Sequence, residues 1–397
     1  MKFEWKEYNV QDLIDMGMLD EPVDGNHGNI HPKASDYVEL GVPFIMANNL
    51  IDGVVDLESC AFISEEQAKT LRKGFAKPGD VLLTHKATIG RTAIVPDKYK
   101  TIILTPQVTY YRVKNGIDNR YLKYYFDSPD FQTTLNNWAG SGSTRAYLGI
   151  TAQHKLPIVL PPLSVQKKIA NLLEVLDKKI RINAEINNNL EQQAQAIYQQ
   201  MFVDNPSPEW KEGTLSDIAD ITMGQSPSGS SYNEESNGTI FFQGRAEFGF
   251  RFPTVRLFTT EPKRMACAND TLMSVRAPVG DLNVAHTDCC IGRGLAAIHS
   301  KTNHQSFVLY TMFSLKKQLE VFNGEGTVFG SINRNSLNEM PILIPSDEKL
   351  DEFEGIIAPM DTAIRNNYDE ICRLEQIRDS LLPKLMSGEL DVSNIDL

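Results

Sequence analysis

From Ser164 to Met201 the chain runs without a glycine or proline, and apolar residues recur in steps of three and four. The seam reads Ile169, Leu173, Leu176, Ile180, Asn183, Asn187, Leu190, Ala194, Ile197 and Met201, apolar apart from two asparagines. This heptad pattern specifies a helix, because only at helical spacing do these side chains fall on one stripe. At a rise of about 1.5 Å per residue the helix reaches roughly 57 Å, more than a small domain can cover. One helix cannot bury its own stripe. It needs a partner, and the chain carries one.

Moving 184 residues onward from each seam position gives Phe353, Ile357, Met360, Ile364, Asn367, Ile371, Leu374, Arg378, Leu381 and Leu385. The spacing is kept, and Asn183 falls on Asn367. The same offset takes Gly140-Ser141-Gly142 to Gly324-Glu325-Gly326 and Leu156-Pro157 to Met340-Pro341. Upstream it becomes 190, where Gly79-Asp80-Val81-Leu82 meets Asn269-Asp270-Thr271-Leu272 and Gly90 meets Gly280. At the start it is 205, and Trp5-Lys6-Glu7 meets Trp210-Lys211-Glu212. The chain is a tandem duplication, each half a globular domain followed by one long helix.

If the halves pack with approximate two-fold symmetry, the helices form an intramolecular antiparallel coiled coil with a globular domain at each end. Asn183 and Asn367, equivalent on the seam, would set its register by pairing; the alternative is that they face solvent at a frayed seam. The predicted fold class is α+β. Two mixed α/β domains, 1–161 and 204–345, are joined by long helices at 162–203 and, with the tail, 346–397.

Short β-runs fill the first domain at Pro43–Met46, Gly79–Thr84, Thr92–Val95 and Val108–Tyr111, and a helical pattern covers Asn119–Trp138. The second repeats the scheme at Thr239–Gln243, Thr271–Val275, Leu282–Ala285 and Leu295–His299. No window approaches the length of apolar sequence that spans a membrane, and the charged start Met1–Trp5 has no signal-peptide core. Five cysteines without a CxxC pair fit reduced thiols in a cytoplasmic protein better than a disulfide framework or a zinc site.

A net charge of −12 argues at first against a polyanion, but −8 of it sits in residues 347–397. Within residues 69–123, twelve basic side chains face only Asp80, Asp97 and Asp118. Residues 245–301 carry eight basic and five acidic groups, a weaker excess. An acidic protein with one basic face per domain can still bind nucleic acid there.

The aligned segments Thr84-His85-Lys86-Ala87-Thr88-Ile89-Gly90 and Ser274-Val275-Arg276-Ala277-Pro278-Val279-Gly280 each place a cation after a strand and before a glycine turn. Phe241-Phe242-Gln243-Gly244-Arg245 sets an amide and a guanidinium after an apolar run, groups able to read adenine and guanine edges. The loop from Gly140 to Arg145 could hold a phosphate through backbone NH groups and Arg145, or be a tight turn before a strand. The candidate contacts to DNA are Lys73, Lys77, Lys86, Thr88, Arg91, Arg145, Gln243, Arg245, Arg264, Ser274, Arg276 and Arg293. No methyltransferase tetrad, Gly-rich cofactor loop or Walker sequence is present, and His27 and His31 lack a third metal ligand. We expect no catalytic site, cofactor or metal.

The alternation of domain and long helix, twice, resembles the DNA-specificity subunit of type I restriction-modification systems. The stretches that carry the resemblance are Gly79–Thr84, Leu160-Pro161-Pro162-Leu163-Ser164 through Ile169, Gly224–Ser228, Asn269–Ser274 and Leu381–Leu390. The resemblance implies two target-recognition domains, each reading one half of a bipartite site in double-stranded DNA. It implies helices that act as spacer and as docking platform for two modification (methyltransferase) subunits and for ATP-dependent restriction subunits. It implies no catalysis by the chain itself. The helix length would then cap the gap between half-sites at ~17 base pairs. The rival from another class is a coiled-coil scaffold whose domains bind protein or glycan.

Overall fold

A computed structural model describes residues 5–140, 146–324 and 330–392. The chain forms two compact units: residues up to Ile182 together with those from Glu370 onward, and Asn183–Asp369. The first long helix, Leu163–Tyr198, continues into a π-helical turn at Gln199–Asp204, and the second spans Asp347–Met386. Both therefore contribute to both units. Among the described residues no helix is long and apolar enough to cross a membrane.

Each unit is built on the same sheets. In the first, Lys6–Asn9 pairs antiparallel with Pro157–Leu160, matching Lys6 with Leu160. In the second, Lys211–Thr214 pairs with Pro341–Ile344, matching Lys211 with Ile344. These are the partners demanded by the offsets of 205 and 184, so the two offsets belong to one duplication. Each unit also has a four-stranded and a five-stranded sheet. In each five-stranded sheet one pair is parallel, Phe44 beside Ile103 in the first unit and Phe241 beside Cys290 in the second. The architecture is α+β, as the sequence predicts.

The helical seam is buried where it meets its partner. In the first unit Ile169 and Leu173 share a core with Tyr121, Phe126, Leu382 and Leu385. In the second, Ala194, Tyr198 and Phe202 share one with Phe307, Phe353, Ile357 and Ile364. Partners run in opposite senses within each unit. Asp177 meets Arg378 in the first; in the second Asn187 meets Asn367, and the Tyr198 ring lies 5.8 Å from that of Phe353. The helices are antiparallel.

The asparagine pair differs from expectation. Asn367 Nδ2 donates to Asn187 Oδ1 at 2.8 Å, and Asn187 Nδ2 donates to the Ile364 carbonyl at 3.2 Å. In an antiparallel pair the facing residue numbers add to a constant, 554 for this rung and 555 for Asp177 with Arg378. Residue 367 therefore faces 187, and Asn183, itself buried, stands one turn away. The expected single helix over Asn119–Trp138 is two, Asn119–Asp127 and Pro129–Trp138. Ser128 between them is extended, because the ring of Pro129 disfavours helical backbone at the preceding residue.

Candidate nucleic-acid interface

The aligned cation segments fold alike. In the first unit Val81–Lys86 turns through Ala87 into Thr88–Ile94, with Ala87 at φ 65° and Gly90 at φ 89°. Thr84 Oγ1 accepts from the Arg91 amide at 2.8 Å. In the second, Ser274 Oγ accepts from the Asp281 amide at 2.9 Å, and Gly280 has φ 91°. A strand-end hydroxyl thus fastens the returning chain in both. Outer bonds match too: Ala87 N donates to Ala146 O and Ala277 N to Gly330 O, while Leu148 N donates to His85 O and Ile332 N to Val275 O. Lys86 and Arg276 are held at equivalent places and are exposed.

The Gly79-Asp80 and Asn269-Asp270 turns support these strands from the other end. Asp80 accepts from the Lys77 amide and Asp270 from the Cys267 amide, both at 2.8 Å. Arg112 grips Asp80 through two bonds of 2.8 and 2.7 Å, and that hydrogen bonding raises the guanidinium pKa. His85, beneath Lys86, is fully buried. Burial pulls its imidazole below the usual range, so at neutral pH it is uncharged and donates from Nδ1 to the Leu148 carbonyl at 2.9 Å.

Ion pairing sorts the basic residues. In the first unit Lys73 pairs with Asp24, Arg112 with Asp80, Lys114 with Asp20, Arg120 with Asp118 and Glu174, and Lys123 with Asp127. Most of those acids lie outside residues 69–123, so the charge counted along the sequence overstates what reaches solvent. Lys69, Arg72, Lys77, Lys86, Arg91, Lys98 and Lys100 are exposed and have no ion pair among the described residues. Burial raises the Asp24 carboxyl, but hydrogen bonds from Lys73 and His27 outweigh it and leave its pKa lowered. In the second unit Arg245 pairs with Asp281, Arg256 with Glu247 and Lys301 with Asp220. Arg251 is buried in an ion pair with Asp361, which removes it from the basic face.

Of the remaining candidates, Thr88, Gln243, Arg264 and Arg293 are exposed. Gln243 and Arg293 are brought close to Arg276. The backbone of Gly292 and Gly294 packs against Gln243, and Val275 N donates to Gly294 O. Ser274 is buried and spends its hydroxyl inside the turn, also donating to Pro278 O at 2.7 Å. It carries Arg276 and does not itself face a ligand. Arg145 lies outside the described residues. Sequence reasoning missed Tyr147, which is 49% exposed with Lys86 Nζ 5.9 Å from its ring centroid. Its signal was its place just after the Gly140–Arg145 loop, and a surface aromatic beside a cation can stack on a base. No group of three His, Cys, Asp or Glu among the described residues could hold a metal.

Fold and site together define a class: a duplicated protein that presents one exposed cationic turn per body on paired long helices. Comparison with known proteins narrows it. The family model described as the type I restriction modification DNA specificity domain matches residues 3–192 and 208–370. The chain belongs to this family and is a type I specificity subunit, the non-catalytic component of such a system. It is 29% identical over 377 residues, covering 89% of this chain and 88% of the relative, to a protein of Methanocaldococcus jannaschii named as the specificity subunit of the type I restriction enzyme MjaX. It is 25% identical over 428 residues, covering 98% and 95%, to the MjaIX specificity subunit of the same organism. The crystal structure of the type I S subunit from M. genitalium shares the fold, with a TM-score of 0.62, 15% identity and 96% coverage of both chains.

Proposed function

We propose that each unit reads one half of a bipartite target in double-stranded DNA, and that the long helices set the gap and seat the methyltransferase and ATP-dependent endonuclease subunits. The observation that carries this reading is the equivalence of Lys86 and Arg276, exposed cations on matching turns of two duplicated bodies. Lys69, Arg72, Lys77, Lys86 and Arg91 would neutralise phosphates in the first half. In the second, Arg276 and Arg293 would place paired donors at base edges, and the Gln243 amide one donor and one acceptor. Tyr147 would stack on a base beside Lys86. The chain would work in the cytoplasm, where chromosomal DNA and its modification enzymes meet. Mapping modified bases across the host genome tests this: a motif in two specified parts separated by an unread gap, lost when this subunit is deleted, is the expected result.

A further inference from the structure

One rung recurs in both units, away from the cationic turns. Asp177 on the first long helix and Asp361 on the second are related by the offset of 184. In the first unit the Tyr124 hydroxyl donates to Asp177 Oδ2 at 2.7 Å, and Arg378 Nη1 donates to Oδ1 at 3.2 Å. In the second unit the Tyr310 hydroxyl donates to Asp361 Oδ1 at 3.0 Å, joined by Arg251 Nη2 at 2.5 Å. Tyr124 and Tyr310 stand on corresponding helices of the bodies, Asn119–Asp127 and Gln305–Ser314. Glu375 and Glu191, a second pair related by 184, lie close enough for Arg378 and Arg251 to act on their charges.

The cations around the aspartate differ between the units. Asp177 is faced by Arg378 from the second long helix and, at 3.6 Å, by Lys123 from the body helix, whereas Asp361 is faced by Arg251 from a loop of the body. Tyrosine and aspartate are the same in both units, while the cations that serve them are not. Asp177 is buried and Asp361 half-buried, and a carboxylate in either place costs desolvation that a leucine would avoid, so stability alone does not account for keeping it twice. Direction does. Apolar contact between body and helix is non-directional and tolerates sliding, but a hydroxyl–carboxylate bond does not. A slide of ~3 Å, two residues of helix, is close to one base-pair step of ~3.4 Å and would break the rung.

We propose that Tyr124–Asp177 and Tyr310–Asp361 are positioning devices: each fixes the height and turn of its body on its own helix pair, and so limits the spacer lengths accepted between half-sites. This rests on the bipartite reading above. The test uses the complete methyltransferase complex assembled with wild-type chain, Tyr124→Phe, Tyr310→Phe or both. Its substrates are duplexes carrying the subunit's own half-sites at the native gap and at one or two base pairs more or fewer. The double variant should still modify the native spacing, while modification at plus or minus one base pair, relative to native, rises about tenfold, the worth of one charge-assisted hydrogen bond. An unchanged ratio overturns the proposal, and so does a uniform loss at every spacing, which is what a merely structural rung would give. Each single variant yields its own ratio if the double variant does not fold. A wild-type complex that modifies no split target would instead remove the bipartite reading itself.

Discussion

Arg251→Ala probes how the second unit is held together. Arg251 is 4% exposed; its Nη2 reaches the Tyr310 hydroxyl at 2.9 Å and Asp361 at 2.5 Å, and its Nη1 lies 3.5 Å from Glu191. Burial raises the carboxyls of Asp361 and Glu191, and Arg251 pulls both back. Without the guanidinium two half-buried carboxylates face each other uncompensated, a loss of ~3–5 kcal/mol. For a body of this size each kcal/mol moves the melting point by ~2–4 °C, so the fall should be ~6–20 °C. The pH dependence has a definite sign. A carboxyl raised on folding contributes stability below its unfolded pKa and loses it as pH climbs through the folded value. Removing Arg251 raises both folded values further, so the deficit should be largest near neutral pH and shrink on acidification. Calorimetry of the full chain at about pH 7 and about pH 5 measures both effects. A fall of less than ~2 °C at neutral pH, or a deficit that grows with acid, refutes the reasoning.

Two further changes test the packing. Gly25→Ala would place a Cβ 1.9 Å from the Leu104 carbonyl oxygen, so the first unit should lose more than ~3 kcal/mol; Gly229→Ala, with nothing within 4 Å, should stay within ~0.5 kcal/mol. Equal denaturation midpoints for the two would contradict that account. Asn187→Leu leaves Asn367 without the amide acceptor it uses and should cost ~1–3 kcal/mol, whereas Asn187→Leu with Asn367→Leu should recover most of it. A double variant no more stable than the single would mean that the two amides are not coupled.

The duplication was legible in the sequence because heptads, strand runs and glycine turns repeat at fixed offsets, and those offsets return as strand registers such as Lys6 with Leu160 and Lys211 with Ile344. The equivalence of Lys86 and Arg276 came from the same alignment. Partner choice was not legible. Heptad position tells which residues lie on the seam but not which one each faces, and so Asn367 meets Asn187. Charge along the chain could not tell Arg276, which is exposed, from Arg251, whose partner Asp361 lies far along the sequence. Ser274 stood among the candidate contacts, yet the turn that follows consumes its hydroxyl. The rung at Tyr124 and Asp177 escaped notice because each residue alone reads as ordinary helix surface.

The central claim is that two duplicated bodies read two separate half-sites. Mapping modified bases genome-wide in hosts carrying the wild-type chain, Lys86→Ala or Arg276→Ala tests it most directly. The wild type should give a split motif with a gap below ~17 base pairs, and Arg276→Ala should relax or lose specificity in one part only, with Lys86→Ala weakening modification without altering either part. A continuous motif, or an Arg276→Ala map in which both parts change together, would contradict it.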